Sequence, residues 1–199
     1  MLLVSSAAAA ASLAQGNGAP GNELAFGLGG IPSVSRSDSP NLTLGPGPAL
    51  QVNYARRIFD GERFALYGEI NFVASPLRNV SSTLTSATHD VASLYATPGL
   101  RIKILPRARV SPYVAAGGGY SDYEQSTKQL SGSPNPAPRQ LSRGVIDFGA
   151  GVDTRVWRWV ALRGEVRDYF SGSPAYNVST IGGGQNNVVA LGAFVLRWH

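Results

Sequence analysis

A chain of 199 residues holds one domain with one core, so a second, catalytic or cell-wall-binding unit is not expected. The absence of cysteine excludes a disulfide framework, a zinc–thiolate site and a cysteine nucleophile, while 24 Gly and 13 Pro among short runs of Val, Tyr and Phe describe strands broken by turns rather than helices. The formal net charge of +5 raises nucleic acid as a partner, but Arg56, Arg57, Arg63, Arg107, Arg109 and Arg158 sit beside separate short turns and not along one face, which argues against it.

Residues 1–14, Met-Leu-Leu-Val-Ser-Ser followed by an Ala-rich run, have the apolar stretch and small-residue cleavage site of a secretory signal, without its basic start, and cleavage is expected after Ala14. A short Ala-rich helix is the competing reading. Residues 15–199 then form the single domain. No apolar run reaches the roughly 18 residues of a spanning helix, so membrane embedding would have to be by strands.

Beyond Gln15, apolar residues alternate with polar or small ones in eight segments, each about ten residues long, as in transmembrane barrel strands. The first, Asn22 to Ile31, points Leu24, Phe26 and Leu28 one way. The second, Ala49 to Arg57, sets Leu50, Val52 and Tyr54 against Gln51, Asn53 and Arg57. In the third, Phe64, Leu66, Ile70 and Phe72 oppose Tyr67, Glu69 and Asn71; in the fourth, Leu94, Leu100, Ile102 and Ile104 oppose Tyr95, Thr97, Arg101 and Lys103. The fifth, Ser111 to Tyr123, is Gly-rich, with Pro112, Val114 and Ala116 assigned outward. The sixth turns Ile146, Phe148, Ala150, Val152, Thr154 and Val156 outward and Asp147, Asp153 and Arg155 inward. The seventh turns Val160, Leu162, Gly164 and Val166 outward and Arg163, Glu165 and Arg167 inward; the eighth, Asn187 to Trp198, sends Val188, Phe194, Leu196 and Trp198 to one side.

Connections alternate between long (Pro32 to Gly47, Ser75 to Asp90, Glu124 to Ser142, Ser171 to Asn186) and short (Asp60-Gly61, Leu105 to Arg109, Trp157 to Trp159). An all-β fold follows: an eight-stranded antiparallel up-and-down transmembrane β-barrel with long outer loops, short periplasmic turns and both termini on the short-turn side. Periodicity alone allows either face to be inside. The aromatics choose, because Tyr54, Phe59, Phe64, Trp157, Trp159 and Trp198 gather at strand ends near the short turns as a membrane-interface girdle would. A soluble lipocalin-like barrel with an apolar lumen is the alternative.

The stretches Tyr95-Ala-Thr-Pro-Gly-Leu-Arg101, Ser111-Pro-Tyr-Val-Ala-Ala-Gly-Gly-Gly-Tyr120 and Ala161-Leu-Arg-Gly-Glu-Val-Arg-Asp-Tyr-Phe170 resemble strands of the porin-superfamily outer-membrane barrel domain related to OmpA and OmpX. The resemblance spans about Asn22 to His199. It implies location in the bacterial outer membrane, insertion by the outer-membrane assembly machinery, contact with outer-membrane lipids, and roles such as envelope integrity, adhesion or loop-mediated recognition of an unidentified extracellular ligand. Such barrels often end in an aromatic residue; here Trp198 precedes His199. A monomer is expected.

The constellation with chemistry is Glu69, Arg101, Lys103, Asp147, Asp153, Arg155, Arg163, Glu165 and Arg167, a ladder of opposite charges lining the lumen. Paired carboxylates can do acid–base work only with a substrate-sized cavity, and an eight-stranded barrel is just wide enough for its own side chains to fill. A salt-bridged plug is therefore the first expectation, a narrow channel for small solutes or ions the second, and a lipid-modifying enzyme the third. No catalytic residue, metal or cofactor is expected: His89-Asp90 is a loop pair, His199 is terminal, and neither stands beside a nucleophile on a strand. Gly117 to Gly119 and Gly182 to Gly184 lack the strand-to-helix setting of a nucleotide fingerprint.

Register between the sixth and seventh segments follows from charge. A one-residue slip turns a strand inside out, so only every second alignment is open. Placing Asp153 opposite Arg163 and Val156 opposite Val160, with Trp157-Arg158-Trp159 as the loop, avoids the like-charge facing of Arg155 with Arg163.

Overall fold

Period-two alternation decides which backbone forms, and in the computed structural model, which describes residues 19–36, 42–178 and 183–199, it produces strands and no helix. The expected signal segment lies outside the described residues. The strands are β1 (Asn22–Ile31), β2 (Val34–Arg36), β3 (Leu42–Leu44), β4 (Gly47–Asp60), β5 (Phe64–Ser81), β6 (Asp90–Ile104), β7 (Val110–Gln125), β8 (Gln140–Trp157), β9 (Val160–Gly172) and β10 (Gly184–Trp198). β1 pairs with β4 on one side and β10 on the other, and each remaining long strand pairs antiparallel with the next, so eight strands close into a ring with no free edge. β2 and β3 form a small hairpin that leaves the ring after β1 and joins the far end of β5 through Thr43↔Ser81 and Leu44↔Val80.

The strands are longer than the alternation alone indicates. β5 and β8 each run for 18 residues, against the roughly 9–11 that cross a bilayer. β5 passes through a register shift between Ser75 and Arg78 before continuing to Ser81, so the second long connection is shorter than Ser75 to Asp90. The bulge resets the inward parity, which is why the segment past Ser75 looks like loop in the sequence.

Facing is unambiguous. Leu28 is 70% exposed, Phe26 50% and Phe148 55%, whereas Glu23, Arg101 and Lys103 are fully buried. An apolar exterior of this extent is covered only by lipid, and a charged interior excludes the lipocalin-like arrangement. All six aromatics of the short-turn girdle are exposed; Tyr54 lies 6.5 Å from Trp198 and Phe59 5.7 Å from Phe64, centroid to centroid.

At the β8–β9 hairpin Asp153 does face Arg163, but Val160 pairs with Trp157 instead of Val156. Val156 is the extra residue of a bulge between Arg155 and Trp157, and the turn is Arg158-Trp159. A two-residue type I′ turn needs a positive φ at both positions; neither residue has one, and the bulge supplies the missing twist instead.

Candidate functional site

The barrel is narrow, so long side chains from one wall need space at the other. Glycine supplies it: a Cβ at Gly151 would fall 2.4 Å from the Tyr113 hydroxyl, and one at Gly149 would fall 3.0 Å from the Arg167 stem. Alternating strand positions then carry charges inward at neighbouring heights on β1, β5, β6, β8, β9 and β10.

Nearest the short turns, Glu23 is the hub. Lys103 Nζ lies 2.5 Å from Glu23 Oε1 and 2.6 Å from Asp153 Oδ2. Arg163 grips Asp153 in a two-pronged pair, Nε to Oδ1 at 2.7 Å and Nη2 to Oδ2 at 2.9 Å, and reaches Glu23 at 3.1 Å. Arg101 and Arg197 approach Glu23 at 3.4 and 3.5 Å.

One level higher, Arg101 donates to Glu69 and, at 2.7 Å, to Asn53. Arg167 joins Glu69 at 2.8 Å, Asp147 at 2.6 Å and Glu165 at 3.3 Å. Glu165 also accepts from Tyr113 at 2.5 Å and Gln51 at 2.7 Å. The Arg101 and Arg163 guanidinium carbons lie 4.7 and 4.9 Å from the Tyr113 ring centroid, so that ring fills space between cations. Five cations (Arg101, Lys103, Arg163, Arg167, Arg197) meet five carboxylates (Glu23, Glu69, Asp147, Asp153, Glu165), and the network is electrically neutral.

Above it the lumen turns aromatic. Asn71 donates to Tyr169 at 2.5 Å, and the Tyr169 ring lies 4.6 Å from that of Tyr95, which meets Tyr123 edge-on at 6.1 Å. Arg78 lies higher still, donating to Asn187 Oδ1 at 2.9 Å and to the carbonyls of Gly45 and Pro32 at 3.1 and 3.2 Å.

The long loops cover this end and are tied to one another. Thr88 N donates to Tyr176 O at 3.0 Å, His89 N to Lys128 O at 3.1 Å, Leu130 N to Ala87 O at 2.8 Å and Asn177 Nδ2 to Ser86 O at 2.7 Å. Ala87, Tyr176 and Val178 are buried beneath, together with Leu42 and Leu44 of the β2–β3 hairpin. His89 is paired with Asp90 at 3.0 Å on the exposed side of this cap.

Eight of the nine expected lumen charges converge in the network, and Arg155 does not. It is exposed at the rim, opposite Ala161 and just before the Val156 bulge, where the strand has left the lumen; this corrects its inward assignment. The sequence reading missed Glu23, although it shares the inward parity of Ala25 and opposes Leu24 and Phe26. A lone charge in a Gly- and Ala-rich strand carries little weight beside the charge ladders of β6, β8 and β9. Arg197 carried the same parity signal between Leu196 and Trp198. Arg78 offered none, because the bulge precedes it.

A closed ring of eight antiparallel strands, apolar where it meets lipid and ion-paired within, is an outer-membrane β-barrel. No family model matches the chain and no curated protein is significantly similar to it. Among solved structures it is similar to Ail, the attachment invasion locus protein of Yersinia pestis, in complex with the heparin analogue sucrose octasulfate, at 15% identity over 88% of this chain and 99% of that one, with a TM-score of 0.50. It is also similar to Neisserial surface protein A (14% identity, 89% of this chain, 96% of that one, TM-score 0.56) and to the outer membrane protein OprG from Pseudomonas aeruginosa (12%, 92%, 99%, 0.55). At such identities the likeness is one of fold, and the fold is that of eight-stranded outer-membrane barrels.

Proposed function

We propose that the chain is a non-catalytic outer-membrane barrel that acts through its outer loop surface, in recognition or adhesion, with the lumen serving as a structural plug. The observation that carries this reading is the filled interior: a neutral ten-charge network spans the barrel under a tyrosine layer, and cross-loop hydrogen bonds close the mouth above. A solute passing through would have to break several buried ion pairs at once, each costly to leave half-made. An anionic sulfated ligand like the one in the Ail complex is not favoured here. Among the described residues, the cations exposed at the long-loop end, such as Lys128 and Arg139, are matched by Asp90, Asp122 and Glu124, and Arg139 is held by Glu124 at 2.6 Å.

Planar-bilayer recording of the refolded protein tests the plug. Small or absent conductance is expected, and large steady single-channel currents from the wild type would replace the plug by a channel. Whole-cell binding by bacteria displaying the protein, compared with a variant whose Thr127–Pro138 loop is exchanged for a Gly-Ser linker of equal length, tests the recognition role; equal binding would remove it.

A further inference from the structure

The ten-charge lumen network is neutral, so the surplus charge of the chain lies elsewhere, and it lies at one end. Around the short-turn rim stand Arg56 and Arg57 at the end of β4, Arg63 before β5, Arg107 and Arg109 between β6 and β7, and Arg155 and Arg158 at the β8–β9 hairpin. The carboxylates among them are Asp60 and Glu62. Seven arginines against two acids leave five uncompensated positive charges, equal to the whole formal net charge of +5. Asp60 is shared by Arg57 at 3.1 Å and Arg107 at 3.5 Å, which leaves Glu62 as the one rim acid for the remaining five arginines.

Their height is fixed by the aromatics. Arg56 is the next outward residue after Tyr54 on β4, and Arg158 lies between Trp157 and Trp159 with its guanidinium 5.3 Å from the Trp159 ring centroid. Exposed Trp and Tyr mark the headgroup level of a bilayer. Guanidinium groups within a residue or two of that level are at the depth of lipid phosphates, where they can pair two-pronged with phosphodiester oxygens while their stems stay on apolar surface.

We propose that this rim is a collar for anionic phospholipid headgroups, such as phosphatidylglycerol, in the leaflet that surrounds the short turns. It holds the barrel at a set depth and draws anionic lipid to one end of the molecule only, because among the described residues neither the lumen network nor the long-loop end carries such a surplus.

The chain places its own reporters there, since its three tryptophans are Trp157, Trp159 and Trp198. The refolded protein is placed in vesicles of phosphatidylcholine and phosphatidylglycerol in which one or the other lipid is brominated, and quenching of tryptophan fluorescence gives the relative binding of the two lipids at this rim. Phosphatidylglycerol should be preferred about 2- to 5-fold at low salt, the upper figure corresponding to about 1 kcal/mol for one arginine near the surface. Raising the salt should erode the preference. The triple variant Arg107→Gln, Arg109→Gln, Arg158→Gln should lower it towards 1, and Lys128→Gln with Arg139→Gln, at the other end, should leave it unchanged. Equal quenching by both lipids in the wild type, or a triple variant that folds and keeps the preference, would overturn the proposal. So would loss of the preference in inorganic phosphate but not in chloride of equal ionic strength, which would assign the collar to free phosphate. Equal quenching together with sedimentation of the protein on isolated cell-wall sacculi would assign it to an anionic polymer beneath the membrane. None of these outcomes bears on conductance or loop binding, so the collar and the proposed function stand or fall separately.

Discussion

Replacing Glu23 by Gln tests the claim that the lumen is held by a neutral network with Glu23 at its centre. The substitution keeps size and shape and removes one negative charge. Lys103 at 2.5 Å, Arg163 at 3.1 Å, Arg101 at 3.4 Å and Arg197 at 3.5 Å all lose it, and the new amide N–H groups face cations. A unit-charge pair at 3 Å is worth about 5 kcal/mol at an effective dielectric constant of 20. Neighbouring carboxylates and local rearrangement recover part of that, so the net cost should be about 3–5 kcal/mol, the range for a buried ion pair that loses one partner. Urea unfolding of the barrel refolded in vesicles should show this as a lower midpoint with an unchanged slope. Adding Lys103→Met removes the surplus cation, which Asp153 would otherwise share with Arg163, and restores four charges against four. The double variant should then regain most of the loss, since Asp153 keeps Arg163 at 2.7 Å. A single variant within about 1 kcal/mol of wild type, or a double variant no more stable than the single, would refute the network argument.

Two further pairs of substitutions separate positions that look alike in the sequence. Arg163→Gln should cost about 3–5 kcal/mol and Arg155→Gln less than about 0.5 kcal/mol in the same unfolding assay, because the first cation is buried on Asp153 and the second is exposed at the rim; equal costs would return Arg155 to the lumen. Gly119→Ala should slow refolding into vesicles and destabilise the barrel by about 1–3 kcal/mol, since the added Cβ would sit 2.1 Å from the Ala96 carbonyl oxygen, whereas Gly164→Ala, which meets nothing within 4 Å, should be neutral. Refolding yield read by heat-modified gel mobility distinguishes them, and a tolerated Gly119→Ala would show that the β6–β7 contact is looser than the structure has it.

The fold was legible because a barrel strand obeys one rule along its whole length. Leu24, Phe26 and Leu28 on β1 and Phe194, Leu196 and Trp198 on β10 share an outward parity that no loop interrupts, and long and short connections alternate in the sequence itself. What the sequence hid lies where that rule is broken. The bulge after Ser75 moves Arg78 to a parity that the preceding residues do not announce, and the bulge at Val156 changes the β8–β9 turn. A bulge costs one unpaired residue and gains a local twist, and neither term has a residue signature outside the glycine-led types. Glu23 was hidden differently. Its parity was visible, but its importance depends on Lys103, Arg163 and Arg197, which reach it from β6, β9 and β10, and adjacency across a closed ring is set by the whole strand order rather than by any one strand.

Ten buried charges are an expensive way to fill a narrow barrel, and apolar side chains of similar volume would often pack at equal or lower free energy. The expense is intelligible from the other face. The outside of each strand must already be apolar to meet lipid, so an apolar inside would make every strand a continuous hydrophobic run, prone to aggregate before it reaches a membrane and apolar enough to enter one without its neighbours. Charges at alternate positions hold the unfolded chain in water. Folding then brings the opposite signs from β1, β5, β6, β8, β9 and β10 together one against one, so the closed barrel carries no net lumen charge into the bilayer. Partners on strands that are not neighbours cannot be paired until the ring closes: Glu23 on β1 meets Lys103 on β6 and Arg163 on β9 only across the completed lumen. The network therefore rewards the closed state far more than any open sheet that precedes it. A barrel stabilised in this way should insert in one cooperative step, with its lumen charges paired at the same moment as its last strand.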